Sequence, residues 1–366
     1  MNKFIFGHLI PPCEKVFRFI RFNVNNIFLE KIGEIYQKLL RPSSELIADI
    51  SSLDGDILIL GAGGKMGPAL ARKAKQAIDA AGINKKVIGV ARFSEAGLEK
   101  ELNREGIETL RADLLRDDQL QALPTVKNVL YLAGTKFGTQ GNESFTWAMN
   151  AYLPGRVAEK FKDSRIVVFS TGNVYPFVSV KSGGAHESIQ PEPLGDYGQS
   201  CLGRERLFQY FSILHRTPIL IYRLNYANDV SYGVLLEIGK SVKSRKPIDL
   251  NMGHVNVIWQ GDANEIALRA LPHCAVPCKL LNVTGPETAS VRWIANEFGS
   301  LFGEPPIFTG EEQDTALLSN AAECFRLFGY PRVGLKQMIG LLARWIEEGG
   351  KTINKETHFQ ERKGKF

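Results

Sequence analysis

The sequence predicts an α/β fold, a doubly wound parallel sheet of about seven strands followed by a smaller C-terminal lobe. Three observations predict it. From Gly55 onward, short β-rich runs alternate with longer helical stretches. The runs are continuously apolar, as strands covered on both faces are. The first of them ends in a glycine-rich turn that opens into a helix.

Residues 1–54 are expected to form a helical extension. Phe17, Ile20, Val24, Ile27, Phe28, Ile32, Ile35, Tyr36 and Leu39 fit a helical stripe, with Arg18, Arg21, Lys31 and Lys38 among the polar positions. Such a helix packs on the main body or a second subunit, or lies on a membrane surface. RPSS at 41–44 reads as a turn. The strands are expected at 56–60, 86–91, 107–112, 128–133, 165–170, 218–224 and 279–284, within a domain running over 55–285. Segments 175–196 and 228–258 interrupt the alternation. With 286–348, the C-terminal lobe, they are placed over the carboxyl ends of the strands, where open α/β sheets bind ligands. Residues 349–366 form a polar, basic tail, either mobile or draped over the surface.

Composition narrows the function classes. An apolar fraction of 44% is that of a soluble globular chain, and a net charge of +6 over 366 residues, scattered along the chain, makes no case for nucleic acid. The five cysteines form no even, closely spaced framework, which points to a reducing compartment and a cytoplasmic location. Cys274 and Cys278 in CAVPC lack the second ligand pair of a zinc site, so they mark a turn and no metal is expected. No apolar run reaches the roughly 18 residues of a membrane span, and the two N-terminal prolines disfavour a signal peptide.

The chemistry begins at DILILGAGGKMGPALARKA. Gly61 makes the tight turn, Gly64 lets backbone N–H groups approach a pyrophosphate, and Gly67 lets the helix pack close to the sheet. Gly63, Lys65 and Met66 complete this loop. At the end of the next strand, where an NAD site places an acid for the ribose hydroxyls, stand Ala91 and Arg92. A guanidinium without a carboxylate favours NADP over NAD. Asp113 either accepts from an adenine amino group or caps a helix.

GAGGKMG, ADL at 112–114, LAGTKFG at 132–138, VVFSTGNVYP at 167–176 and YGQSC at 197–201 together resemble the landmarks of the extended short-chain dehydrogenase/reductase family, the epimerase/dehydratase-like enzymes, from about Gly55 to about Gly349. The resemblance implies a Rossmann-like sheet and a carbohydrate or nucleotide-sugar substrate. It implies Thr171 and Tyr197 as catalytic residues, with Lys136 near the cofactor's ribose and phosphates. Leu114, Ala133 and Gly134 would line the cofactor beside Asp113, while Asn173, Glu187, Arg223 and Asn225 would face the substrate. A homodimer is compatible with the sequence.

The family places a lysine four residues after the tyrosine, where it binds the nicotinamide ribose and lowers the tyrosine's pKa; this chain has Cys201. A neutral thiol does neither. Arg204 lies two helical turns beyond Tyr197, a spacing that predicts no direct contact, whereas Lys136 comes from another strand end and can supply the charge. Either Tyr197 serves as a proton donor in an NAD(P)-dependent oxidoreductase, epimerase or dehydratase, or the site has decayed into that of a dinucleotide-binding sensor or scaffold. Cys201 is a nucleophile or a buried inert thiol.

Overall fold

The structure is a computed structural model and describes residues 32–136, 138, 141–353 and 355–365. The part of the expected N-terminal helix that precedes Ile32 lies outside the described residues. Ile32–Leu40 is helical. The chain divides into two compact units, Met1–Leu40 and Arg41–Phe366. The helix Ser44–Ser52 belongs to the second unit: Ser43 Oγ accepts from Leu46 N at 3.1 Å, and Leu46 and Ile50 enter the main core.

All seven runs form strands: β1 (Ile57–Leu60), β2 (Val87–Ala91), β3 (Glu108–Arg111), β4 (Asn128–Tyr131), β5 (Arg165–Thr171), β6 (Ile219–Leu224) and β7 (Lys279–Val283). They make one sheet in the order β7-β6-β5-β4-β1-β2-β3, with parallel pairing throughout. Leu60 at the end of β1 is in register with Val90 on one side and Tyr131 on the other. The winding therefore reverses between β1 and β4, and the crevice beyond those strand ends is where such a sheet receives a ligand.

Successive strand residues point to opposite faces. Ile57, Ile59, Leu130, Val167 and Leu220 join one core cluster, whereas Leu58, Leu60, Val129, Val168 and Ile221 join another. The helix Gly67–Ala81 covers the first face through Leu70, Ala71, Ala74 and Ile78. Leu153–Lys160 and Gly195–His215 cover the second through Val157, Ala158 and Phe208. This two-sided burial is the reason that the runs read as continuously apolar.

Later in the chain, helices Val234–Lys243, Val291–Phe302 and Leu335–Glu347 pack on one another. The basic tail is tied down. Ile353 N donates to the Ser231 carbonyl, Thr357 N and Oγ1 donate to Glu237 Oε2 at 2.8 and 2.7 Å, and Phe359 is buried. Arg362 donates to the Thr315 carbonyl at 2.8 Å, and Gly364 lies against Gly195 at the start of the helix that carries Tyr197.

Candidate active site

The glycine loop is built by close backbone approach. Gly61 N and Ala62 N both donate to the Val90 carbonyl, at 2.9 and 3.0 Å. Gly61 has φ +98°, and a Cβ there would meet Ala133 N at 2.8 Å, so this turn requires glycine. A Cβ at Gly67 would stand 2.7 Å from the Ala62 backbone, which is how tightly the following helix seats on the loop. Gly63 and Gly64 are exposed, and the nearest atom to a Cβ at Gly64 is 3.3 Å away. Two glycines thus serve the fold, and two leave the loop's outer face bare.

Tyr197 lies in the first turn of Gly195–His215. Gly198 allows that turn to press against β5's outgoing loop, because a Cβ there would be 2.8 Å from the Asn173 carbonyl. Tyr197 consequently reaches the end of β5, where its hydroxyl hydrogen-bonds Thr171. Thr171 is itself buried, and its Oγ1 donates to Asn173 Oδ1 at 3.1 Å. Lys136 Nζ stands over the Tyr197 ring, 5.6 Å from its centroid. The three residues expected to be catalytic are therefore brought together from two strand ends and one helix start.

Electrostatics fix the resting protonation states. Burial, and then Cys201, pushes the Tyr197 phenol well above its ordinary value, with the Arg204 charge and the Thr171 hydrogen bond opposing. Part of the Tyr197 side chain is still accessible, so the effect belongs to its enclosed hydroxyl. Burial likewise pushes the Cys201 thiol up, and Cys201 is fully enclosed among Val174, Tyr175 and Ala185. Phenol and thiol are both neutral at pH 7, and the thiol is inert. Burial lowers Lys136 to about 8. Lys65, whose Nζ lies 3.3 Å from the centroid of the Tyr232 ring, is lowered to about 7 by burial and by the charges of Lys136 and Lys355.

Other expected residues are placed differently. Arg223 does not face an open pocket: it is 1% exposed, and its Nε and Nη2 donate to Glu205 at 3.0 and 2.6 Å while Nη1 donates to the Tyr175 hydroxyl. Asn225 is also buried, donating to Asn256 Oδ1 and packing beside Gly172. Glu187 accepts from Asn282 N at 2.8 Å. Arg223 and Asn225 are enclosed by the chain that packs over the end of β6, and Glu187, in a turn, is half-buried against the backbone of β7. Asn173 is partly accessible beside Thr171. Asp113 Oδ1 accepts from Leu115 N in a local turn and does not cap the helix Asp117–Gln121, while Leu114 is a core residue. Arg92 is exposed at the end of β2, its carbonyl accepting from Arg111. Ala133 and Gly134 follow β4 beside Gly61.

Three further residues organise the site. Asn150 sits in a π-helical segment, Ala148–Tyr152, a rare geometry often found at functional sites. Its Oδ1 accepts from Thr135 N and Arg204, and its Nδ2 donates to the Thr135 carbonyl and Ser200 Oγ. Arg204 and Glu205 occupy the inner face of the tyrosine helix with Gly198, Cys201, Phe208 and Ser212. On the opposite face, Leu214 is 53% exposed. Spacings of three and four from Gly198 through Cys201, Glu205, Phe208 and Ser212 carried the signal; an apolar count overlooks it because the face is small and polar.

The fold and the glycine loop define a dinucleotide-type α/β domain, and residues 57–229 match the model of the NAD dependent epimerase/dehydratase family. No curated protein sequence matches the chain. Among solved structures, UDP-glucuronic acid 4-epimerase from Bacillus cereus in complex with NAD aligns over 81% of this chain and 100% of its own at 20% identity and a TM-score of 0.65. An epimerase from Methanothermobacter thermautotrophicus aligns over 84% and 96% at 20% identity with a TM-score of 0.68. UDP-glucose 4-epimerase from Thermotoga maritima, with UDP-glucose, aligns over 80% and 99% at 15% identity and a TM-score of 0.65. At these identities the likeness is one of fold.

Proposed function

We propose that the chain is an NAD(P)-dependent enzyme that transfers hydride at a carbinol or keto carbon of a carbohydrate, a nucleotide sugar by analogy with the proteins it resembles in fold. The observation that carries this reading is the hydrogen-bonded Thr171–Tyr197 pair under Lys136, at the crevice that the glycine loop borders. The loop fits a dinucleotide pyrophosphate, because Gly63 and Gly64 are exposed and leave its backbone without side-chain cover. Gly61, Gly63, Gly64 and Lys65 would hold that group, and Lys136 would lie toward the nicotinamide end. A bound nicotinamide supplies the redox chemistry.

The chain's own residues handle the proton. Thr171 orients the substrate oxygen, and Tyr197 holds a proton on its hydroxyl at neutral pH, so its first act is donation to a developing alkoxide. The Lys136 cation stabilises the phenolate left behind. The matching test is turnover of a panel of UDP-sugars and keto sugars on protein first checked for bound dinucleotide, followed both by nicotinamide absorbance, which reads net oxidation or reduction, and by chromatography of the sugars, which reads redox-neutral epimerisation or dehydration. Signal on at least one sugar is expected; silence on all of them favours the sensor or scaffold.

Arg92 supports NADP as the preferred form. Arg92→Ala is expected to weaken NADPH by about 1.5–3 kcal/mol, the size of a charge-assisted hydrogen bond, and to leave NADH nearly unchanged in parallel titrations. Equal losses would remove Arg92 as the reader of the 2′-phosphate.

Lys65 and Lys136 set a pH dependence. Each binds fewer protons when folded than when unfolded, between about 7 or 8 and its ordinary value near 10.4. Their burial therefore penalises the folded state fully below about pH 7, and the penalty is relieved as pH rises through that window. Anion binding runs the other way, since a pyrophosphate favours the charged amines. Dinucleotide affinity is expected to fall on the order of tenfold from about pH 6 to about pH 9 at low salt, with proton uptake on binding. Calorimetry in two buffers of different ionisation enthalpy reads that uptake directly.

A further inference from the structure

We propose that Arg204 is a positioning cation of this site, supplying from one helical turn further along the positive charge that position 201 lacks. The inference rests on the reading of Tyr197 as the proton-transfer group. Helical side chains lean toward the N-terminus, so a long side chain at 204 lies over the turn of Ser200 and Cys201. Arg204 is 6% exposed, and its guanidinium is held by the Phe169 carbonyl at 2.7 Å and by Asn150 Oδ1 at 2.8 Å. A Cβ at Gly134 would stand 2.5 Å from its Nη2, which places the cation directly beneath the loop that follows β4.

Its partners separate it from a structural ion pair. The adjacent carboxylate, Glu205, is engaged by Arg223, and the groups holding Arg204 are a carbonyl and an amide. Its Nε is buried without a hydrogen-bond partner, as is the hydroxyl of Tyr131, whose ring centroid is 5.8 Å from Cζ. The field of this buried cation falls on the neutral acids around it, Tyr197, Cys201 and Tyr131, each of which it draws toward ionisation. Through Asn150, which clasps both backbone groups of Thr135, the same guanidinium braces the segment that delivers Lys136. Arg204 therefore acts on Tyr197 twice, by its own charge and by fixing the second cation over the ring.

The test is a charge-swap cycle with Arg204→Gln, Cys201→Lys and the double variant, read by melting temperature and by NADH titration. Arg204→Gln retains hydrogen-bond donors but removes the charge, and is expected to weaken NADH about tenfold or more. Cys201→Lys alone is expected to lower the melting temperature, because a second cation is forced beside the first. In the double variant the charge sits at 201, and both readings should recover, with NADH within about threefold of wild type. Losses that simply add in the double variant would overturn the proposal. If Arg204→Gln does not fold, restoration of folding by Cys201→Lys supports the relocated charge and failure to restore it contradicts it. Wild-type protein that binds neither NADPH nor NADH would defeat the functional reading instead, and the melting-temperature arm would still decide the role of Arg204.

Discussion

Tyr197→Phe is expected to lower turnover by about 10²–10⁴-fold while leaving dinucleotide binding and melting temperature close to those of wild type. The substitution removes one oxygen. That oxygen hydrogen-bonds Thr171, and the ring beneath Lys136 is retained. Substrate affinity should change little, since the phenol acts as a proton leaves it. A comparable loss of dinucleotide affinity would instead mark Tyr197 as a binding residue. Turnover unchanged by the substitution would mean that the proton comes from elsewhere.

Glu205→Ala has the largest expected effect on stability, about 3–5 kcal/mol, because it leaves the guanidinium of Arg223 buried without its countercharge. Arg223 and Glu205 are 1% and 0% exposed in their side chains and meet through two hydrogen bonds, while Ser170 Oγ donates to the same carboxylate at 2.5 Å. Against a typical total of about 5–15 kcal/mol this is a large share. Denaturant titration measures it, with the midpoint falling and the slope preserved. Since Ser170 precedes Thr171 and Glu205 lies on the tyrosine helix, the pair also clamps β5, β6 and that helix at the point where the site forms. A small loss would show that water enters to solvate Arg223 and that the clamp is weak.

The sheet was legible because burial on both faces leaves an unmistakable mark: ILIL, VIGVA and RIVVFST are apolar at every depth that the helices cover. The glycine loop was legible for a related reason, since positive φ at Gly61 and contact at Gly67 exclude a side chain and so constrain residue type directly. Thr171 and Tyr197 were placed by resemblance, and packing unites them through Gly198, which reads in sequence as an unexplained helix glycine.

Polar interior residues were harder to read. Arg223 and Asn225 were expected at a ligand through the family resemblance; their partners, Glu205 and Asn256, come from other parts of the chain. The tyrosine helix hides its inner face in the opposite way. Its buried face carries Arg204 and Glu205, and its exposed face carries Tyr210, Ile213 and Leu214, so a search for an apolar stripe finds the wrong side. Arg204, two turns beyond Tyr197, is held by the Phe169 carbonyl and Asn150 and acts on the phenol through its charge.

The central claim is that the crevice at β1 and β4 binds a dinucleotide through the bare face of the glycine loop. The most direct measurement is a fluorescence titration of NADPH and NADH against wild type and Gly64→Val, with circular dichroism confirming that both are folded. A Cβ at Gly64 would meet the Gly61 carbonyl at 3.3 Å, so the loop must yield by a few tenths of an ångström to admit valine, which is why the folded state is checked alongside binding. Saturable one-to-one binding to wild type, lost in folded Gly64→Val, is the expected result. Equal affinity in the two proteins, or no binding to wild type, would contradict it.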